Sequence, residues 1–259
     1  METSTDPFSL VERKEYDERK SHQVAEGIWW IGFRDRQSKE SHNPYLIVEG
    51  NEAALINPGS YAREHHQIVL EKLTAIIDPA QIQHIIVQHH DPQWCAATPH
   101  FEKLADRHVR IYAPSAIVKC LQCYGCKNVI IALDEGDSII MGSGRAITYH
   151  DTPDLPLSGS GFFYDFLTGT VFSGDILRCA LDQWRLFAPA GHGTFLSPDG
   201  EKRASKKAFL HALNKMERLS LQRICPQYGP IMEDDLEEPL AALRKICLAN
   251  TLSERKTMA

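Results

Sequence analysis

A short apolar segment, His84-Ile-Ile-Val87, runs directly into the sequence Gln-His-His-Asp-Pro-Gln-Trp94. The apolar segment is typical of a buried strand, and the carboxyl ends of such strands are where ligand-binding groups collect in α/β proteins. Because residues two apart in an extended chain point the same way, we expect His89 and Asp91 to face one side together. An imidazole beside a carboxylate is the beginning of a transition-metal site. The alternative interpretation is that both residues cap the helix that follows.

Charge and apolar content exclude several classes of protein. The chain has 259 residues, with 28 basic and 34 acidic side chains and a net charge of −6. Nucleic-acid-binding proteins normally carry a basic surplus, so we expect no nucleic-acid partner. We also expect no membrane partner, because no apolar run approaches the ~20 residues that cross a bilayer and the first residues do not resemble a secretory signal. Seven cysteines, an odd number at low density, favour reduced thiols and a cytoplasmic location.

The apolar pattern predicts one α/β domain. Residues 1–23 are polar and charge-dense, and we expect them to form a flexible arm. Residues 24–259 begin with a β-hairpin around Glu49-Gly-Asn51, continue with alternating strands and helices, and reach two closing helices after several short strands. Helices are predicted at residues 68–77, 101–105, 116–120, 204–216 and 236–247.

Three other segments place polar side chains after or between short strands. Val171-Phe-Ser-Gly-Asp175 presents a carboxylate at a strand end, and Ile224-Cys-Pro-Gln-Tyr-Gly-Pro-Ile231 runs into a loop that contains Tyr228. His150-Asp-Thr-Pro-Asp154 lies between two strands. Taken singly, each of these polar residues is ordinary for a turn or a strand end.

Taken together, these segments resemble a known family. Four pieces carry the likeness: the hairpin that closes on Asn57-Pro-Gly-Ser60, the His89-x-Asp91-Pro run, the Phe-Ser-Gly-Asp175 strand and the Pro-Gln-x-Gly-Pro-Ile231 loop. They are similar to the metallo-β-lactamase-fold proteins, and among those to the diiron branch of flavodiiron proteins and oxygen-binding diiron proteins (ODP). The resemblance runs from about Gly27 to Leu248. It implies a four-layer αββα sandwich, in which the metal site lies at one edge between two β-sheets.

The resemblance also implies a set of seven metal-ligand positions, which this chain matches only in part. His89, Asp91 and Asp175 match. The other positions hold side chains that the family does not use: Gln93, Trp94, Pro156 and Tyr228. Pro and Trp offer no suitable lone pair, an amide oxygen binds more weakly than a carboxylate, and a phenol with a pKa of ~10 resists deprotonation. We therefore expect a degenerate centre that holds iron, as a mononuclear or a dinuclear site, less readily zinc or manganese, or no metal.

Substitute ligands for the missing positions can be named from the sequence. Asp154 and Tyr228 are the first substitutes, since a carboxylate or a phenolate can bind iron. His150 and His192 are further alternatives, although we expect them to be exposed or helix-capping residues.

The sequence is compatible with three functions. The first is sensing or binding of O2, NO or another redox ligand at an altered metal centre. The second is a metal-free pseudoenzyme that binds a protein partner. The third is a metal-dependent hydrolase, which needs a metal-bound water and is disfavoured by Gln93 and Trp94. If the chain is an enzyme, the resemblance favours a metal-dependent oxidoreductase.

The resemblance also bears on cofactors and assembly. Family members that reduce gases draw electrons from a flavin in an attached flavodoxin-like domain. This chain ends at Ala259, soon after the second closing helix, so we expect no flavin domain and a separate electron donor. Because relatives pair, the resemblance also favours a homodimer.

Three cysteines follow a C-x-x-C-x-x-C spacing at Cys120, Cys123 and Cys126. The i and i+3 positions of a helix share a face, so the thiols could bind a cluster or a soft metal. The alternatives are a redox-sensing thiol pair and incidental thiols at the end of a helix.

Overall fold

The computed structural model describes residues 16–152, 161–177, 183–189, 206–233 and 236–257. The strands among these residues are β1 His22–Ala25, β2 Ile28–Trp30, β3 Phe33–Arg34, β4 Ser41–His42, β5 Tyr45–Glu49, β6 Glu52–Ile56, β7 Ile82–Ile86, β8 Arg110–Pro114, β9 Ile130–Leu133, β10 Ser138–Ile140, β11 Ala146–Asp151, β12 Gly161–Asp165, β13 Thr170–Gly174 and β14 Arg223–Pro226. The α-helices are α1 Arg63–Thr74, α2 Pro92–Cys95, α3 Thr98–Leu104, α4 Val118–Gln122, α5 Lys206–Met216 and α6 Glu237–Thr257. None of the described helices is long and apolar enough to span a bilayer.

Most strands belong to two sheets. The larger sheet has the strand order β1-β2-β5-β6-β7-β8-β9 and is parallel from β6 to β9. The smaller sheet has the order β10-β11-β12-β13-β14 and is antiparallel except for the parallel pair β13–β14. β3 and β4 form a separate two-stranded ribbon.

Buried apolar clusters separate four layers. The first cluster packs α1, α3 and α4 on the larger sheet and includes Leu73. The second lies between the two sheets, where Ile86 of one faces the layer that contains Phe172 of the other. The third packs α5 and α6 on the smaller sheet, through residues such as Phe162 and Leu243. The αββα sandwich predicted from the sequence is therefore the observed architecture.

The predicted hairpin is confirmed, and the first helix differs in its bounds. β5 and β6 pair antiparallel, and Gly50 in their turn has a φ of +58°, a conformation that glycine adopts without steric cost. The helix predicted at residues 68–77 begins earlier, at Arg63. The apolar pattern does not reveal this start, because the first turn of the helix is exposed and contains no apolar residue of the periodic set. It also ends earlier, at Thr74, and Pro79 lies in a separate 3₁₀ turn that Asp78 caps.

The boundary between arm and domain stays a prediction. The structure describes the chain from Tyr16, and β1 already begins at His22, inside the predicted arm of residues 1–23. β1 pairs antiparallel with β2, so the larger sheet starts before Gly27.

Four strand ends converge at one edge of the sandwich. Asn57 follows β6 and Gln88 follows β7 in the larger sheet, while Asp175 follows β13 and Gln227 follows β14 in the smaller one. Because each pair of strands is parallel, their carboxyl ends reach the same edge. This edge contains the candidate site.

Candidate functional site

A buried amide network ties these strand ends together. Asn57 Nδ2 donates hydrogen bonds to Gln88 Oε1 at 2.7 Å and to Gln227 Oε1 at 2.8 Å. Asn57 Oδ1 accepts one from the backbone N–H of Gln88 at 2.9 Å, and Gln88 Nε2 donates to the carbonyl of Phe172 at 2.8 Å. All three amide side chains are buried. The network links both sheets behind the candidate site, so it holds the two rows of strand ends in fixed relation.

Asn57 suits this position for a second reason. Its φ is +51°, in the left-handed region where asparagine is tolerated better than most residues with a Cβ. The sequence patterns predict no role for Asn57, Gln88 or Gln227. Their position directly after apolar strands was the available signal.

His89 lies at the inner wall of the site as a buried imidazole. Its Nδ1 accepts a hydrogen bond from the backbone N–H of Asp91 at 3.0 Å, and its Nε2 is buried without a hydrogen-bond partner. Burial lowers the pKa of His89, while the carboxylates of Asp175 and Asp91 act in the opposite direction. Because Nδ1 is the acceptor, the proton of the neutral imidazole lies on Nε2, which is a buried N–H donor without a partner among the described residues.

Asp91 performs the capping role that the sequence left open as an alternative. Its Oδ1 accepts a hydrogen bond from the backbone N–H of Gln93 at 2.8 Å, at the N-terminus of α2. Pro92 occupies the first turn of that helix, where its missing N–H is not needed. Asp175, half-buried after β13, lies within electrostatic range of His89.

Uncharged side chains that bond to one another occupy the other half of the site. The indole Nε1 of Trp94 donates to the hydroxyl of Tyr228 at 2.7 Å, and that hydroxyl donates to Gln93 Oε1 at 3.4 Å. Trp94 is buried, and a Cβ at Gly174 would lie 3.5 Å from its ring. The ring of Tyr228 packs edge-on against His42, with 5.2 Å between centroids. Trp94 and Tyr228 therefore hold each other in place.

The structure places one of the remaining candidate ligands, His150, away from this site. His150 stacks on Phe162, with 4.9 Å between ring centroids, and its Nδ1 lies 3.3 Å from Glu135 Oε1. Since Phe162 belongs to the layer beneath α5 and α6, His150 faces away from the space between the sheets. Asp154, Pro156 and His192 lie outside the described residues.

The thiol motif lies beside the site but does not form a metal cage. Cys120 and Cys123 are exposed, Cys126 is half-buried, and all three are free thiols. The hydroxyl of Tyr124, within the motif, donates to the carbonyl of His90 at 2.8 Å. Burial raises the pKa of Cys126 to about 11, so this thiol is protonated near neutral pH.

The donor set of the described residues does not fit a metal centre. Across the described ranges, no three or more His, Cys, Asp or Glu side chains are grouped closely enough to hold an ion. Gln93, Trp94 and Tyr228 supply hydrogen bonds to one another and no anionic donor. Among the described residues, the observed geometry is therefore that of a polar, hydrogen-bonded strand edge.

The family to which this chain belongs follows from a match over most of its length. Residues 41–229, more than half of the chain, match the family described as ODP family beta lactamase. The chain belongs to this ODP family. The predicted metallo-β-lactamase fold of the flavodiiron and ODP branch is thereby confirmed.

Individual relatives agree with this assignment. Diflavin flavoprotein A 1 of Synechocystis sp. is 25% identical over 217 residues, which cover 80% of this chain and 37% of that protein. The chain thus spans just over a third of the curated relatives it matches.

Solved structures show the same fold at low sequence identity. A flavo di-iron protein mutant from Thermotoga maritima superposes with a TM-score of 0.75 at 21% identity, covering 88% of this chain and 61% of that one. A fragment, 1–254, of diflavin flavoprotein A 5 from Nostoc sp. PCC 7120 gives a TM-score of 0.76 at 16% identity, covering 91% of this chain and 98% of the fragment. The ODP chain therefore corresponds in fold to one part of longer flavoproteins.

Proposed function

We propose that this ODP-family chain acts as a metal-free binding protein, not as a gas-reducing enzyme. The observation that carries the proposal is the bonded set Trp94–Tyr228–Gln93, which stands at three positions where the resemblance implies metal ligands. These side chains satisfy one another, so the site does not need a cation to be stable. The function is then recognition of a partner by this strand edge.

Electrostatics support the same conclusion. Several carboxylates and imidazoles can share a small site only when a cation offsets their repulsion. Here the uncharged Gln93 and Trp94 follow Asp91 in the chain, and Oδ1 of Asp91 accepts a hydrogen bond at the N-terminus of α2. Across the residues that the structure describes, the site therefore lacks the clustered negative charge that a two-metal centre requires.

A second candidate keeps a single metal ion and senses O2, NO or another redox ligand. The observation in its favour is the buried imidazole of His89, which lies in the electrostatic range of Asp175. Metal binding through its Nε2 requires the proton to move to Nδ1 and the hydrogen bond from the N–H of Asp91 to break. An imidazole and carboxylates of this kind suit Fe(II), and less readily Mn(II) or Zn(II). A flavin-linked reductase, whose electrons would come from another domain or protein, and a homodimer are further proposals that rest on family membership.

The test compares the natural chain with a variant that restores ligands. The chain is purified without oxygen, its iron, zinc and manganese are measured per chain, and each metal is titrated by calorimetry. We expect no stoichiometric metal in the natural chain. The triple variant Gln93→Asp, Trp94→His, Tyr228→His should bind at least one ion per chain and unfold at a higher temperature when the metal is added.

A matched control changes the same positions without adding ligands, as Gln93→Asn, Trp94→Phe, Tyr228→Phe. This control should bind no metal. Two iron ions per natural chain, with an absorption change on exposure to air, would overturn the proposal. One tightly bound iron that depends on His89 would establish the sensing alternative instead.

A further inference from the structure

A cavity of about 560 Å³ lies beside α1, and its lining contains none of the residues of the candidate site. The arm segment before β1, the ribbon strand β3 and one face of α1 form its walls. The α1 residues that line it are Ile68, Glu71, Lys72 and Ala75, which recur at the three- and four-residue spacing of one helical face. The volume is in the range of small-molecule sites in proteins.

The lining of this Lys72 cavity is strongly cationic in an acidic protein. Five basic residues line it against two acidic ones: Arg19, Lys20, Arg34, Arg36 and Lys72, against Glu18 and Glu71. The whole chain carries a net charge of −6, so this local surplus is opposite in sign to the average surface. A concave surface of one sign concentrates ligands of the other sign.

Some of these charges are already neutralised, and others are not. Arg19 makes a two-point contact with Asp17 at 2.9 and 3.1 Å, which offsets its charge. Glu71 accepts a hydrogen bond from the uncharged Gln67 at 2.8 Å and keeps its negative charge. Within the described part of the chain, the charged ends of Lys20 and Arg36 form no hydrogen bond or salt bridge. Both side chains are exposed at the cavity and are open to an incoming anion.

Lys72 lies at the floor of the cavity, and its ammonium has no carboxylate partner among the described residues. The residue is only 4% exposed, and its Nζ donates to the carbonyls of Glu18, at 2.7 Å, and Gly32. The ammonium also lies 4.0 Å from the ring centroid of Trp30. Among the described residues it has no salt-bridge partner, although buried charges are usually paired with an opposite charge.

Apolar groups complete the lining. Phe33 is buried, and Ile68 is partly buried beside it in the packing under α1. The cavity therefore offers cationic groups for an anion together with a small apolar wall. This combination is suited to an organic anion more than to an inorganic ion.

We propose that the Lys72 cavity binds a small organic anion, whose phosphate or carboxylate meets Lys20 and Arg36 and whose apolar body packs against Phe33 and Ile68. The guanidinium of Arg36 can donate two parallel hydrogen bonds to either group. The site is independent of the metal ligands and does not rest on the function proposed above.

The test uses the full chain and a matched series of probes, measured by isothermal titration calorimetry at low salt. 2-Naphthyl phosphate carries both features, 2-naphthol lacks the charge, and inorganic phosphate lacks the apolar body. We expect the naphthyl phosphate to bind one to one and at least tenfold more tightly than either partial probe. 2-Naphthoate distinguishes the two anionic groups, because its binding at similar strength assigns the site to carboxylates as well as phosphates.

The position of binding is tested with the double variant Lys20→Gln, Arg36→Gln, which should bind the naphthyl phosphate at least tenfold more weakly. Because neither charged end has a partner among the described residues, the variant should unfold at the temperature of the natural chain. Lys103→Gln, an exposed lysine of α3 that does not line the cavity, is the matched control and should bind normally. Equal binding of 2-naphthol, absence of binding, or unchanged affinity in the double variant would each overturn the proposal.

Discussion

The candidate site and the Lys72 cavity differ in whether their polar side chains have bonding partners. At the candidate site, Trp94 and Tyr228 bond to each other, and the buried amides behind them bond across the two sheets. At the cavity, the ammonium of Lys72 is buried without a carboxylate, and the guanidinium of Arg36 has no partner in the described part of the chain. Most polar groups at the position that the family resemblance marks for metal ligands thus bond to one another, although His89 Nε2 and Gln227 Nε2 have no partner among the described residues. The Lys72 cavity differs because it retains charges without a salt-bridge partner in the described ranges.

This difference shows that the fold determines where the strand ends lie, whereas the side chains of this chain determine the chemistry at that place. The fold brings four strand ends to one edge whether or not a metal binds there, because the sheets and the amide network of Asn57 fix them. Family membership therefore predicts where a site lies more securely than what occupies it. Charges without partners depend on the sequence of this chain, and they indicate where a ligand is still needed.

The largest expected effect comes from breaking the amide network of Asn57. Asn57→Leu removes the donor to Gln88 and Gln227, leaves the N–H of Gln88 without its acceptor, and places a bulky side chain at a φ of +51°. We expect the free energy of unfolding to fall by about 3–5 kcal/mol, measured by urea denaturation.

Asn51→Ala, in the exposed turn between β5 and β6, is the control and should cost less than about 0.5 kcal/mol. A loss below ~1 kcal/mol for Asn57→Leu would show that the strand ends are held by other contacts.

The second prediction concerns the pH dependence of stability that the buried Lys72 produces. Burial lowers the pKa of Lys72 to about 7, while Glu18 and Asp17 oppose the shift; Lys20, Arg19, Arg34, Arg36 and Glu71 are the other charged groups around the cavity. In the unfolded chain the pKa is ~10.4, so the folded state binds fewer protons between these values and stability rises with pH.

We expect the unfolding free energy of the natural chain, minus that of Lys72→Met, to increase by about 2 kcal/mol from pH 7 to pH 10 in buffers without organic anions. The carbonyls of Glu18 and Gly32 and the ring of Trp30 favour the ammonium and keep the rise modest. Lys103→Met, the exposed control, should give a flat difference. A flat difference for Lys72→Met would mean that its charge is already compensated, which removes one reason for an anion to bind.

The fold was predictable because its signals are local. Apolar runs of strand length, the turn Glu49-Gly-Asn51 and the helical spacing of apolar residues each act within a few positions, and the structure confirms the elements they predicted. Helix bounds were less accurate, since the exposed first turn of α1 has no apolar pattern.

The polar interactions were less predictable because they join distant residues. Asn57, Gln88 and Gln227 meet only after both sheets have formed, and nothing in their spacing indicates a network. Lys72 lies on a helix where a lysine is normally exposed, and its burial depends on the arm segment at Glu18. The predicted ligand set of His89, Asp91, Asp175 and Asp154 stays a prediction, with Asp91 seen in its capping role.

The smallest effect tests whether the pair at the candidate site is structural. Tyr228→Phe removes the acceptor for the indole N–H of Trp94, which is buried and has no other hydrogen bond to the described residues. We expect a loss of about 1 kcal/mol by urea denaturation, with no gain of metal binding. Tyr61→Phe, an exposed tyrosine whose hydroxyl lies 3.4 Å from His100 Nδ1, should change stability by less than about 0.5 kcal/mol. If Tyr228→Phe were stabilising and also lowered the affinity of the site for iron, the phenol would be a retained ligand, and the contrast between the two regions would disappear.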